Sequence, residues 1–194
     1  GRSPKTRELV EQVLRGFRGP VVIDADALNV FEGDAPALAS ALGERDAILT
    51  PHPMELARLL GAGVQTVLAR RFEIAEEAAR MLHATVLLKG VPTVIANPSG
   101  SQVVSAAGSP ALGVAGSGDL LGGMTATLLA QASDPLAAAA CAAWVHGRAG
   151  EIASRAFDLT DLSLSAVMVP RNRIVALRRH SSAEEIRQVL LEHG

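Results

Sequence analysis

Asp119 stands at a seam in the sequence. The stretch GVAGSGDLLGGMTATLLA (113–130) begins as a glycine-rich loop and ends as an apolar pattern of helical period, and the acid sits where one becomes the other. A glycine turn that enters a helix bares backbone N–H groups at the positive end of the helix dipole, a ready cradle for phosphate. A carboxylate at the mouth of that cradle is a poor phosphate ligand, because like charges repel. It is well placed to accept the proton of a hydroxyl that attacks a phosphoryl group held by the adjacent amides. The plainer reading of GSGD is an aspartate that caps its own helix. The G-x-x-x-x-G-K-[ST] pattern is absent, and no G-x-G-x-x-G follows the first apolar run, so neither a Walker loop nor a dinucleotide fingerprint is present.

Three more polar clusters follow short apolar runs: DADALN (24–29), TPHPME (50–55) and KG (89–90). Open parallel sheets bind ligands beyond the carboxyl ends of their strands, where these clusters fall. Each has a plainer reading. Asp24 and Asp26 can end a strand and cap a helix, His52 can be an exposed loop residue, and Glu55 can be a first-turn acid stabilised by the helix dipole. Lys89, beside a glycine at the end of a buried run, is expected to contact an anion.

The elements that must hold these clusters are readable from apolar spacing. Ser3-Pro4 marks a helix start, and Leu9, Val10, Val13, Leu14 and Phe17 continue it at helical spacing. PVVIDAD (20–26), AILTP (47–51) and TVLLKG (85–90) read as buried strands. MELARLL (54–60) reads as helix. Val64 to His83 reads as one longer amphipathic helix with Val67, Leu68, Ala75, Ala78 and Leu82 on a stripe. TVIAN, PSG and QVVSA predict a β-hairpin over 93–106. A helix over 119–131 follows the glycine loop, and another starts at Asp134-Pro135 and reaches about Arg155. Apolar strands alternating with helices predict an α/β fold, a mostly parallel sheet flanked by helices on both faces, with the short hairpin inserted.

The bulk properties bound the function. With 194 residues and 48% hydrophobic content the chain can bury a sizeable core. A net charge of −2 gives no basic surface for nucleic acid, and 3% aromatic content gives no base-stacking platform. No apolar run reaches the length of a membrane span. The single cysteine, Cys141, lies in an alanine-rich helical pattern and is expected to be a small buried residue, which suits a reducing, cytoplasmic setting.

Taken in order, VVIDADALN, ILTPHPMELARLL, VLLKGVPTVIA, SPALGVAGSGDLLGGMTATLLAQ and HGRAGEIA resemble the ADP- or ATP-dependent NAD(P)H-hydrate dehydratases of the ribokinase-like superfamily, over about residues 1–160. The resemblance implies repair of hydrated NADH or NADPH: a nucleotide phosphorylates the ring hydroxyl, and loss of phosphate restores the nicotinamide. It implies that Asp119 contacts the hydroxyl and acts as base, with His52 and Asn29 also on the substrate side. It assigns Lys89, Gly90, Val91, Pro92 and Thr93, with Gly116, Ser117 and Gly118, to the nucleotide. ADP or ATP and a divalent cation, usually magnesium, are the implied cofactors, without named metal ligands. A homo-oligomer is the expected assembly. Ser109-Pro110 stands where the family has asparagine-proline, Gly113 and Val114 replace its usual loop-entry residues, and Met54 replaces its glycine after PHP. GRSP at 1–4 resembles the end of the family's GPGLG turn, which implies an internal piece lacking an N-terminal segment.

The tail differs. VMVPRNRIVALRRHSSAEEIRQVLLEHG resembles the start of a CBS repeat of CorC/HlyC-type proteins, so 161–194 is expected to be a partial CBS-like segment, with RIVAL a strand and a helix capped at Ser182. Two other functions fit parts of the pattern: a small-alcohol kinase resembling hydroxyethylthiazole kinase, and a nucleotide-binding regulatory module without turnover.

Overall fold

The computed structural model describes residues 2–132, 134–160 and 187–188. Two compact units divide the chain, Gly1–Ser154 and Arg155–Gly194, and the sheet with its helices lies in the first. Its strands are β1 (Val21–Ile23), β2 (Ala47–Leu49), β3 (Thr85–Leu88), β4 (Thr93–Ala96) and β5 (Gln102–Ser105), in that spatial order. β1, β2 and β3 are parallel, and β4 and β5 continue the same sheet as an antiparallel hairpin. The hairpin turns at Asn97–Ser101, where the Asn97 N–H bonds Ser101 O and Gly100 N–H bonds Asn97 O. The α/β architecture expected from the sequence is present.

Strand alternation sorts the core into two layers. Val21, Ile23, Leu49, Val86, Leu88, Val94 and Ala96 face one side, and Val22, Ile48, Leu87 and Ile95 face the other. The first side is covered by α1 (Pro4–Gly16), α2 (Asp26–Asn29), α3 (Ala35–Leu42), α4 (Pro53–Leu60), α5 (Val64–Ala69) and α6 (Arg71–Leu82). The second is covered by α7 (Ser117–Gln131) and α8 (Pro135–Thr160) through Leu121, Leu129, Ala138, Ala139, Ala142 and Ala143. Burial of each large aliphatic side chain in these layers is worth about 1.5–3 kcal/mol.

The helix starts follow local chemistry. Ser3 caps α1 by accepting from the Thr6 N–H, with Pro4 at the first helical position. Gly61 ends α4 at a left-handed φ of 63°. The helix expected as one piece from Val64 to His83 is instead two, broken at Arg70 (φ −122°, ψ 40°). α5 packs on α4, whereas α6 packs on α3 and on strands β3 and β4, and one straight helix cannot follow both. Leu68 is exposed as a result, while Val67 stays buried.

Cys141 is exposed, contrary to the buried placement expected. The buried stripe of α8 is Ala138, Ala139, Ala142 and Ala143, and Cys141 projects away from it. The RIVAL strand and the Ser182 cap lie outside the described residues, of which Arg187 and Gln188 are helical. No described helix is long and apolar enough to cross a membrane.

α8 also receives the segment before the glycine loop. A Cβ at Gly147 would collide with the Ala107 carbonyl, and one at Gly150 with the Leu112 side chain. The glycines of HGRAGEIA are there because another chain segment lies against the helix. Gly147→Ala should therefore destabilise the protein by about 1–3 kcal/mol, overpacking outweighing the gain in helix propensity. Gly123→Ala in α7, where a Cβ meets open space, should instead stabilise by about 0.5–1 kcal/mol. Urea denaturation of the two variants beside the parent checks both signs.

Candidate active site

The carboxyl ends of the three parallel strands meet at one place. After β1 the backbone turns sharply through Ala25, at φ 52° and ψ −123°, a conformation that costs a non-glycine residue about 1–3 kcal/mol. That turn ends the strand at Ile23 and starts α2, so Asp24 sits beyond the sheet. After β2, Thr50 N–H bonds Ile23 O. After β3, Lys89 N–H bonds Pro51 O at 2.9 Å, so each strand end is tied to its neighbour.

Three of the sequence-predicted clusters converge on Lys89. Its Nζ donates to Asp24 Oδ1 at 2.8 Å and lies 3.8 Å from Glu55 Oε2. The anion it contacts is thus a carboxylate of the protein, reached across the end of β2. The Lys89 and Asp24 side chains are about one-fifth exposed, at 21% and 20%, and Glu55 is buried. The glycine loop closes the fourth side: a methyl group at Gly118 would lie 3.7 Å from Lys89 Nζ and 3.9 Å from Asp24 Oδ2.

α7 begins two residues earlier than the sequence pattern indicates, at Ser117, with Gly116 as its N-cap at a left-handed φ of 87° and no capping side chain. Asp119 therefore does not cap the helix. The Ser117 N–H returns to Val114 O and the Leu120 N–H to Gly116 O. Among the described residues, the N–H groups of Gly118 and Asp119 find no backbone acceptor, which leaves them able to meet an anion. Ser117 is buried, with its Oγ 3.1 Å from His146 Nε2 on α8. Burial holds the His146 imidazole below the ordinary histidine value, opposed by a hydrogen bond to the Ser117 backbone. His146 did not emerge from the sequence as a candidate. Its only signal was its place in HGRAGEIA.

Two cavities of about 520 Å³ border α7, one at its first turn and the other along the helix from Asp119 to Leu128. One is lined by Lys89, Gly90, Val91 and Thr93, the segment 107–110 with Leu112 and Gly113, and Ser117, Gly118, Leu121, Ala143, His146 and Gly147. Its walls are mainly apolar. The other is lined by Asp119, Leu120, Gly123, Met124, Thr127, Leu128 and Val145. Val91-Pro92 is a cis peptide, Thr93 Oγ1 donates to Gly90 O, and Gly90 lies against the Arg71 guanidinium, which donates to Lys89 O.

His52 and Asn29 line neither cavity. His52 is the N-cap of α4 in a reciprocal capping box: its Nδ1 accepts from the Met54 and Glu55 N–H groups, and Glu55 Oε2 accepts from the His52 N–H at 2.9 Å. With Nδ1 an acceptor, a neutral ring carries its proton on Nε2, which is 3.5 Å from Glu55 Oε1. Asn29 donates to Ala25 O and accepts from Arg58 of α4, bracing the strained turn after Asp24.

Comparison with known proteins bears on this arrangement. Residues 1–169 match the family model described as NAD(P)H-hydrate dehydratase. The bifunctional NAD(P)H-hydrate repair enzyme of Moorella thermoacetica is 44% identical over 154 residues, 79% of this chain and 29% of that protein. The ADP/ATP-dependent NAD(P)H-hydrate dehydratase of Bacillus subtilis, crystallised with ATP and Mg2+, superposes with a TM-score of 0.65 at 29% identity, over 99% of this chain and 60% of that one. A ribokinase-like superfamily protein from Enterococcus faecalis shares the fold, with a TM-score of 0.64 at 22% identity over 80% of this chain and 53% of that one. The chain thus spans less than a third of the Moorella enzyme and about three-fifths of the Bacillus protein. With a family match over most of its length and the family's motifs gathered at one end of the sheet, the chain belongs to the NAD(P)H-hydrate dehydratase family.

Proposed function

We propose that this chain carries the phosphoryl-transfer centre of an ADP- or ATP-dependent NAD(P)H-hydrate dehydratase. The observation that carries this reading is the division of space by α7, whose first turn separates an apolar cavity beside Lys89 and Gly118 from a second cavity beside Asp119. The first suits an adenine nucleotide, with Val91, Pro110 and Leu112 against the base and the Gly118 and Asp119 N–H groups at the phosphates. The second receives the hydrated ring. Asp119 accepts the proton of the ring hydroxyl, and the hydroxyl oxygen forms a bond to the terminal phosphorus. The bond from that phosphorus to the nucleotide breaks, and the nucleotide leaves one phosphate shorter. Loss of the new phosphate, with a proton from the neighbouring ring carbon, restores the double bond.

The metal implied by the Bacillus protein makes limited demands here. Among the described residues, no three His, Cys, Asp or Glu side chains group to cage an ion. Magnesium on a polyphosphate keeps several waters and takes only one or two carboxylates. Asp24 fits that demand, because Oδ1 is bonded to Lys89 while Oδ2 faces Gly118 and Gly122. Such an ion, when bound, neutralises charge on the phosphates.

The proposal is tested by incubating the protein with hydrated NADH and ATP or ADP and following the return of reduced-nicotinamide absorbance and the release of phosphate. Asp119→Asn should lower the rate by roughly 10²–10⁴-fold, as loss of a general base does. Its ATP affinity, measured by calorimetry, should stay close to the parent's, because the acid stands outside the nucleotide cavity. A rate close to the parent's removes Asp119 from the chemistry.

His52 is tested by a pair of substitutions that separates its cap from any contact with substrate. His52→Ala loses the cap and about 1 kcal/mol of stability, whereas His52→Asn keeps an oxygen for the same N–H groups. If His52 also contacts the substrate, as the family resemblance implies, both variants bind hydrated NADH about 10-fold or more weakly, for loss of one hydrogen bond to a strongly polar group, and both retain ADP affinity. Weakening in His52→Ala alone assigns the histidine to capping only.

A further inference from the structure

We propose that His146 is a positioning residue for the phosphate cradle, acting through Ser117. The inference rests on the phosphoryl-transfer reading of the two cavities and names a part that reading lacks: what holds the first turn of α7 in place.

The loop ahead of α7 offers little support. Gly113, Val114, Ala115 and Gly116 are all exposed, and α7 starts from Gly116 with no side-chain cap. The first turn, which presents the free N–H groups of Gly118 and Asp119, is held on its own side by two backbone bonds, from Ser117 N–H to Val114 O at 3.3 Å and from Leu120 N–H to Gly116 O at 3.1 Å. A further tie comes from α8, 29 residues on, as the 3.1 Å contact between Ser117 Oγ and His146 Nε2. Ser117 is 7% exposed, so its hydroxyl is occupied by this contact. It is the backbone beside it, at Gly118 and Asp119, that faces the ligand.

A histidine suits the task for physical reasons. Its ring reaches from α8 to the start of α7 and fixes direction as a planar group. Burial favours its neutral form, and a neutral ring ties Ser117 without adding a charge to the cradle, with either partner able to supply the proton. α8 holds the segment 107–112 against Gly147 and Gly150 as well, so one rigid helix sets both walls of the cavity. A displacement of the cradle N–H groups by a fraction of an ångström weakens both phosphate binding and stabilisation of the transferring group.

The test uses the full chain and two probes, ATP by calorimetry and the His146 ring by NMR. His146→Ala should weaken ATP binding by about tenfold, the worth of one hydrogen bond, and should lower kcat further, because the same N–H groups hold charge that develops during transfer. His146→Gln, whose amide reaches the Nε2 position, should return ATP affinity to within about threefold of the parent. Ser117→Ala should reproduce His146→Ala, and the double variant should be no worse than either single one. Independently of any nucleotide, Ser117→Ala should change the His146 ring resonances, because the 3.1 Å contact of Nε2 with Ser117 Oγ is gone. Parent-like ATP binding by His146→Ala, multiplicative loss in the double variant, or failure of a stably folded His146→Gln to recover affinity each overturns the proposal. If the parent itself binds no ATP while Ser117→Ala still changes the His146 ring resonances, the nucleotide reading fails and the contact is structural only.

Discussion

The ion pair between Lys89 and Asp24 is the constraint around which the site is arranged. β1 and β3 are not neighbours, since β2 lies between them, yet the side chains from their ends meet at 2.8 Å. Glu55, buried at the start of α4, contributes the second negative charge facing the ammonium. A charge removed from water needs a partner, and loss of one partner strands the other in a region of low polarity. Lys89 therefore fixes three strand ends at once, and with them the strained turn at Ala25 and the capping box of α4. The ammonium also limits what the glycine loop can carry, because a Cβ at Gly118 would lie 3.7 Å from it.

The loop and α8 supply the complementary constraint. A phosphate cradle needs backbone N–H groups that point outward and stay still, and those two needs conflict. Freeing the N–H groups leaves the first turn without its own caps. Here the conflict is resolved from outside the turn, by Ser117 bonding to α8 and by the preceding segment lying against Gly147 and Gly150. The alanines of α8 allow the helix to lie close on the second face of the sheet, so the loop and the core share one support.

Much of this was legible in the sequence, for local reasons. Short apolar runs ended by acids, proline or glycine located all five strands, and PSG located the hairpin, because buried strands and tight turns are specified by adjacent residues. The four polar clusters could be placed at the carboxyl end of the sheet from their order alone. What could not be read depends on distance or on a lack of contrast. The break at Arg70 answers to helix partners that change along its length. Cys141 could not be placed because alanine occupies both faces of α8 and leaves its rotation unmarked. The pairing of Lys89 with Asp24 crosses an intervening strand, and that of Ser117 with His146 spans two helices. Such pairs exist only once the sheet order is known.

The position of Asp119 follows from the same geometry. On a helix of 3.6 residues per turn, Ser117, Gly118 and Leu121 share one side while Asp119, Leu120 and Gly123 point to another. A carboxylate one residue after the cradle is therefore turned away from whatever the cradle holds, although its own N–H helps to form it. On the proposed function that resolves the repulsion between an acid and a polyphosphate, because the two would occupy different cavities with the backbone of α7 between them. It also keeps the acid within one residue of the group to be transferred, on the side from which a hydroxyl would approach. On that reading the seam between loop and helix separates donor from acceptor, and Gly118 leaves no side chain between them.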